Sequence, residues 1–400
     1  MRYEDMEKSN LRNIIKSIES DLPCPSRADI AKHLGLSRAA VTGLVNQLEA
    51  MHILTENGTI ARPYRGRPAS PLHIDMEYWQ VLGASLHLTT WEYVVADLAG
   101  NILYKVSRPV VPFNIDNMVT ELCNGLVEII GSWEGNLLPG VGIGVPGVVD
   151  ETTGEIVYAY EWNWKERIDI FKPVIEATGF TPYIMNRYML EGIAEFKYAN
   201  PEKLEDLVYI GFGNGIRSAI LSGGEIIRGR NFSAGRLSHL QVDSKGEVCD
   251  CGRTGCLYTY ASEKALVKYI RNILAKGDVS SSLEGQLDSL TPRIIARAAD
   301  EGDIVARKAM KRAAKAIAHV VVTVADVLNP DKVIIGGPTG TSKYLISSIN
   351  EALDDLEYKG PFTSYEVDQA RLSEFSSALG ASYLVARNKL ELATKALNRD

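Results

Sequence analysis

The chain has 400 residues, 46% of them hydrophobic, and a formal net charge of −7. That length suits two or three domains and the apolar fraction supports a sizeable core, which excludes a wholly disordered chain. An overall acidic protein is no general polyanion binder, so any contact with nucleic acid has to be local.

No apolar run approaches the ~20 residues that span a bilayer, and the polar start MRYEDMEKSN is no signal peptide. The expectation is a cytoplasmic protein without membrane association. Few cysteines, mostly clustered, agree with a reducing compartment.

In chain order, LRNIIKSIES carries Leu11, Ile14, Ile15 and Ile18 at helical spacing. After the Pro-containing break at 22–25, Ser26 is placed to cap a second helix, which buries Ile30, Ala31 and Leu34 and stops at Gly35. Ser37 then caps a third, with Val41, Leu44, Val45 and Leu48 on its inner face. Helix, short Gly-containing turn and capped helix make a helix-turn-helix. Ser37, Arg38, Thr42 and Asn46 are the candidate contacts to the DNA major groove or its phosphates. The plain alternative is an ordinary helical hairpin.

A wing is expected from Ile53 to Ile60, turning at Asn57-Gly58. The following segment, ARPYRGRPASPLHID, is rich in Pro and Gly and cannot be helical. Its extended Arg-Gly-Arg-Pro suits a narrow A·T-rich minor groove, with Arg65 and Arg67 reading the negative potential.

From about residue 78 the pattern alternates strand and helix. Three strands open it (VLGASLHL, YVVADLAG, ILYKVSRPV), followed by a helix over 116–132 and a buried strand, GVGIGVPGVVD. Helices near 168–178 and 187–199 flank a short strand at 183–185. LVYIGFGNG, RSAILSGG and EIIRG open a second set of strands near 205. The chain is then mostly helical to about 329, and DKVIIGGP and the helical SSALGASYLVARNKL close it. The pattern by itself gives only an α/β class.

Three of the five cysteines fall within eight residues, Cys249, Cys251 and Cys256, ten residues after His239. One imidazole and three thiols form the donor set of a structural Zn²⁺, and four protein ligands leave no open position. Reduced cysteines beside a surface histidine are the alternative.

HLQVD followed by CDCGRTGCLYTYAS resembles the zinc loop of the ROK family (repressors, open reading frames, kinases), and the resemblance extends over nearly the whole chain. It implies a two-lobed, actin-like ATPase fold behind the winged helix-turn-helix. The divisions expected are 1–75 for the DNA-binding unit and 76–200 for a first lobe completed by 375–400. Residues 201–374 would form the second lobe with the zinc loop. In ROK repressors a Gly-Arg-Pro segment also follows the wing.

Three departures from the family pattern bear on catalysis. The first phosphate loop, Asp-x-Gly-x-Thr in the family, reads Ser85-Leu86-His87-Leu88-Thr89 here, without the acid that organises Mg²⁺. The second keeps three glycines in Gly211-Phe212-Gly213-Asn214-Gly215-Ile216-Arg217, but Phe212 and Ile216 are bulky where phosphate should lie. The catalytic Asn-Asp pair is Asn186-Arg187, and a guanidinium is no base. The expectation is therefore a regulator, most simply a repressor of a carbohydrate-related operon, with no ATP and no catalytic residue. It would bind a palindromic operator as a homodimer or homotetramer. An active ROK sugar kinase and a DNA-binding protein with a vestigial pocket are the alternatives.

In the sugar site that the resemblance implies, acids give way to Arg187, Arg236 and Tyr258. The expectation is an anionic ligand, such as a sugar phosphate or sugar acid, gripped by Arg187 and Arg236. Asn186, His239 and Tyr258 would add polar contacts and Trp162 or Trp164 an apolar face. The alternative is a closed pocket in which the arginines pair internally with Glu161 or Glu191.

Overall fold

The computed structural model describes residues 3–22, 24–57, 70–110, 114–159, 162–200, 202, 204–213, 215–277, 279–356 and 365–397. Arg65, Arg67 and Glu161 lie outside them, as do Gly58 and Asn214.

The chain opens with α1 (Tyr3–Lys16), which runs on into a π-helical turn over Ser17–Asp21, then α2 (Arg27–Leu34) and α3 (Arg38–Ala50). A capping box starts α2: the Ser26 hydroxyl accepts from the Asp29 amide, and the Asp29 carboxylate accepts from the Ser26 amide at 3.0 Å. Gly35, at φ 66°, ends it in the left-handed conformation that favours glycine. Ser37 caps α3 through the Ala40 amide. Val41, Leu44, Val45 and Leu48 are buried on its inner face, as the spacing predicts.

The expected wing over Ile53–Ile60, with its turn at Asn57-Gly58, runs into residues outside those described. Strand β1 (Leu54–Glu56) pairs antiparallel with β2 (Leu72–Ile74), Leu54 opposite Ile74 and Glu56 opposite Leu72. The pairing follows the buried Leu72-x-Ile74 alternation.

The first sheet comprises β3 (Gln80–Leu86), β4 (Thr90–Asp97), β5 (Ile102–Pro109), β6 (Leu137–Val145) and β10 (Thr181–Asn186), ordered β10-β6-β3-β4-β5. Helix α4 (Ile115–Ser132) links β5 to β6. A small sheet of β7 (Val148–Asp150), β8 (Glu155–Tyr158) and β9 (Ile168–Asp169) follows β6. Because Ile168 and Asp169 pair with β8, helix α5 (Phe171–Thr178) starts later than its sequence suggests. Helix α6 (Arg187–Tyr198) springs directly from β10.

The second sheet is ordered β13-β12-β11-β14-β15. It contains β11 (Leu207–Phe212), β12 (Ile216–Ser222), β13 (Glu225–Ile226), β14 (Lys332–Gly336) and β15 (Val367–Gln369). Its helices are α7 (Tyr258–Ala261), α8 (Glu263–Leu274), α9 (Pro292–Asp300), α10 (Ile304–Leu328), α11 (Gly337–Gly340) and α12 (Lys343–Leu356).

The C-terminal helix is two: α13 (Ser376–Arg387) and α14 (Lys389–Leu397), interrupted where the Asn388 amide side chain donates to the Leu384 carbonyl. Helix α13 wedges between the first sheet and α6. Any Cβ on Gly83 or Gly142 would strike α13 backbone, and one on Gly380 would strike the backbone of Leu190 on α6. Glycine allows this approach, which places the start of α13 at the cleft between the sheets.

One apolar core runs from the N-terminal helices into this body. It joins Ile14, Val41, Leu48 and Leu72 to Trp79, Val81, Leu138, Val385 and Leu392. Polar links cross the same seam. The Trp79 indole donates to the Met51 carbonyl at 2.8 Å, and the buried Lys389 ammonium donates to Glu19 at 2.6 Å.

Candidate functional site

Two cavities open between the sheets, and Tyr188, almost wholly buried, lines both. The first has a volume of about 490 Å³ and is walled by Asn186, Arg217, Arg236, Ser238, His239, Cys249, Cys251 and Tyr258, with Gly147, Val148 and Tyr158 from the first lobe's side. Asn186 also caps α6: its side-chain oxygen accepts from the Tyr188 amide at 3.0 Å, and its Nδ2 donates to the Gly147 carbonyl at 2.6 Å. That double anchoring fixes the floor of the pocket.

Arg236 is exposed just before a 3₁₀ turn over Leu237–His239, and no carboxylate of the described residues lies within ion-pair distance of it. Arg217 enters the same wall from β12. It is the last residue of the altered glycine loop, and sequence reasoning passed over it. Its strand position was legible; its direction into the cavity was not. Burial, reinforced by Arg236, Arg217 and Arg253, holds the His239 imidazole below its ordinary pKa.

Arg187 does not join Arg236. Its guanidinium lines the second cavity, of about 530 Å³, with His87, Glu92, Glu191, Tyr209 and the Gly336-Gly337 turn. There Arg187 Nη1 lies 3.3 Å from Glu191, Nη2 donates to the Tyr188 hydroxyl at 2.6 Å, and the guanidinium sits 3.9 Å from the Tyr188 ring centroid. The Tyr209 hydroxyl donates to the other Glu191 oxygen at 2.6 Å. A buried cation needs a carboxylate, and one helical turn along α6 supplies it, so the expected two-arginine grip is split between cavities. Burial pushes the Glu191 carboxyl above its usual range, against the pull of Arg187.

The tryptophans are also elsewhere. Trp162 is buried in the apolar core under the first sheet, and Trp164 packs against it. Neither lines these two cavities.

Of the altered phosphate loops, Ser85 bonds to Ser377 of α13 at 2.9 Å, and His87 Nε2 lies 3.4 Å from Glu92. Phe212 and Ile216 pair across the β11–β12 turn and are both buried in the core beneath the second sheet. Their strand positions put both against this core, and Ile216 also lines the Arg236 cavity.

His239, Cys249, Cys251 and Cys256 offer one ligand atom each, all within 4.8 Å of one another. The Cys251 and Cys256 sulfurs are 3.7 Å apart, as are Cys249 Sγ and His239 Nδ1. Zn–S bonds of about 2.3 Å at tetrahedral angles put sulfurs about 3.8 Å apart, so this group can hold a metal ion of that kind. Gly252 and Gly255, at φ 84° and 67°, make the turns that return Cys256 to the cluster.

On the N-terminal module, Ser37, Arg38, Thr42 and Asn46 all point to solvent. The Thr42 hydroxyl donates to the Arg38 carbonyl at 2.8 Å. Asn46 accepts from Arg27 at 2.6 Å, and Arg27 also pairs with Glu49 and Glu56 at 2.8 Å each. That network ties α2, α3 and β1 together, and sequence spacing gave no sign of it.

The ROK family profile matches residues 82–388. The chain is similar to the xylose repressor of Caldicellulosiruptor bescii, 24% identical over 373 residues, covering 91% of this chain and 92% of that protein. It is 27% identical to the DNA-binding transcriptional dual regulator NagC of Escherichia coli K12, covering 91% and 89%. Among solved structures, a ROK transcriptional regulator homologous to the E. coli Mlc protein superposes with a TM-score of 0.82 at 22% identity, covering 98% and 99%. A Streptomyces griseus ROK glucokinase, solved with glucose and AMPPNP, superposes at 0.66 and 24% identity, covering 76% and 98%. The fold is a winged helix-turn-helix joined to a two-lobed, actin-like ATPase body, and the chain belongs to the ROK family.

Proposed function

We propose that the chain is a DNA-binding transcriptional repressor of a carbohydrate-related operon, and that its ROK body senses a small molecule without catalysing phosphoryl transfer. The observation that carries this reading is the pairing of two features in one chain. A capped helix-turn-helix exposes Ser37, Arg38, Thr42 and Asn46, and Arg187, paired with Glu191, stands where the family resemblance implies a kinase's aspartate base. Relatives named xylose repressor and NagC support it. A winged-helix unit spanning 1–75 would read a palindromic operator as part of a homodimer or homotetramer, with Arg65 and Arg67 in the minor groove.

The His239–Cys256 cluster would carry a structural Zn²⁺. Bound there, the metal supplies no chemistry beyond holding the loop as one wall of the Arg236 cavity. The ligand read by that cavity is an anionic sugar, held by Arg236 and Arg217, with Asn186, Ser238 and Tyr258 as polar partners. Arg187, engaged with Glu191, takes no part.

Selection of duplexes from a random pool by the purified chain tests the main reading. Enrichment of a palindrome that Arg38→Ala binds at least tenfold more weakly is expected, together with no sugar-dependent ATP turnover in a coupled assay. Sugar-dependent turnover without duplex enrichment would replace it with the kinase reading.

A further inference from the structure

Val242 and Asp243 of the zinc loop, Tyr260, Tyr269 and α10 line a third cavity, an open surface depression of about 470 Å³ on the second lobe, separate from the two in the cleft. Lys308, Lys311, Arg312, Lys315 and His319 line one side of it. Their spacing puts all five on one face of α10, along ~16 Å at the helical rise. In a chain of net charge −7 this is a concentrated exception.

The cavity is also organised. Arg312 lies over two tyrosine rings, 4.2 Å from the Tyr260 centroid and 5.1 Å from that of Tyr269. Contact with two aromatic rings restrains the guanidinium. Tyr260 is itself fixed, because its hydroxyl donates to Asp243 at 2.7 Å. The Asp243 carboxylate also accepts from the Lys245 amide at 2.9 Å, so its engagements are with neutral donors. Lys311 has Glu351 at 3.7 Å, with both side chains more than half exposed. Among the described residues, Lys308, Arg312, Lys315 and His319 have no carboxylate within ion-pair distance. Four basic side chains without an ion pair converge on a cavity of ligand size with an aromatic floor, where the lining carboxylate of Asp243 is engaged by Tyr260, and this arrangement can receive an anion.

We propose that this cavity binds a small, multiply charged phosphate compound, with Arg312 as the oriented anchor and Lys308 and Lys315 as flanking charges. The volume fits a small ligand, and the row of cations needs more than one negative group to satisfy it. The site is built on α7, whose Tyr258 lines the Arg236 cavity while Tyr260 lines this one, so each cavity has its own set of cations.

The test is calorimetric titration of the full chain with inorganic pyrophosphate, using sulfate for comparison. The Lys308→Ala/Lys315→Ala variant changes only exposed side chains and should keep the wild-type melting temperature without ligand. Saturable pyrophosphate binding is expected, stronger than sulfate, weakened at least tenfold in that variant and in Arg312→Ala, and unchanged in Arg236→Ala. Equal affinity in the wild type and the double variant would overturn the proposal, as would loss of binding only in Arg236→Ala. So would a surface that takes no pyrophosphate but loses affinity for a non-palindromic duplex when Lys308 and Lys315 are replaced; that result would assign it to a nucleic-acid backbone.

Discussion

Tyr188 stands between two cavities that differ in what their arginines do. On one side Arg187 is committed to Glu191 and to the Tyr188 ring, inside the protein. On the other, Arg236 is exposed beside Arg217 and the metal-ligand cluster. Both arginines stand where the family resemblance implies acids, and they read alike in sequence. The contrast teaches that a charge reversal in a binding cleft has two outcomes, internal neutralisation or ligand recognition. The one observed depends on whether a carboxylate lies within reach on the same element.

The comparison can be broken most forcefully through the wall that only one cavity has. Cys256→Ser should abolish stoichiometric zinc and lower the melting temperature by more than about 10 °C, since metal binding and folding of such a loop are coupled. It should also abolish anion binding at Arg236. Zinc content well below one per chain in the wild type, measured by mass spectrometry without chelators, would remove the metal from this account.

Next comes the internal pair. Glu191→Ala leaves Arg187 buried without its helical partner, which should cost about 3–5 kcal/mol in urea unfolding. A loss under 1 kcal/mol would mean that the pair is less committed than its burial implies.

A smaller effect is expected at the open cavity. Arg236→Glu should weaken a sugar phosphate about a hundredfold, roughly 2.7 kcal/mol, and Arg217→Ala about tenfold. Glu191→Gln should leave that affinity within twofold. If Glu191→Gln and Arg236→Glu weaken the ligand equally, the two cavities act as one site.

The finest test uses pH. Burial raises the Glu191 pKa in the folded state, so the folded protein holds this proton more tightly than the unfolded chain. The protonated form therefore contributes stability at and below the ordinary carboxylate pKa. That contribution is lost as pH rises through the raised folded value. The stability difference between wild type and Glu191→Gln, measured by denaturant unfolding from pH 4.5 to 8, should move against the wild type as pH rises. A difference that moves the other way would show that Arg187 outweighs burial.

Much of this was written locally. The caps at Ser26 and Ser37, the stop at Gly35 and the inner face of α3 follow from hydrogen bonds and periodicity within a dozen residues. The His-Cys cluster was equally legible, because its three cysteines are close in the chain and glycines allow their turn. The partner of β1 was not legible locally: it comes after residue 71, where Leu72 and Ile74 bring the apolar side chains the core requires.

What the sequence determined by itself is the class of each segment and the identity of each unusual charge: a helix-turn-helix, an α/β body, a metal-ligand set, and arginines where acids were expected. What only the tertiary structure decided is where those charges point. Arg187 and Arg236 part company because α6 carries Glu191 one turn further on and the 3₁₀ turn carries no acid. Phe212 is carried into the core beneath the second sheet, while Ile216 reaches both that core and the Arg236 cavity. The row on α10 became a cavity only when Tyr260 and Tyr269, from other helices, came to lie beneath Arg312. A side chain's direction is set by the neighbours that can satisfy it once buried, and those neighbours lie far away in the chain.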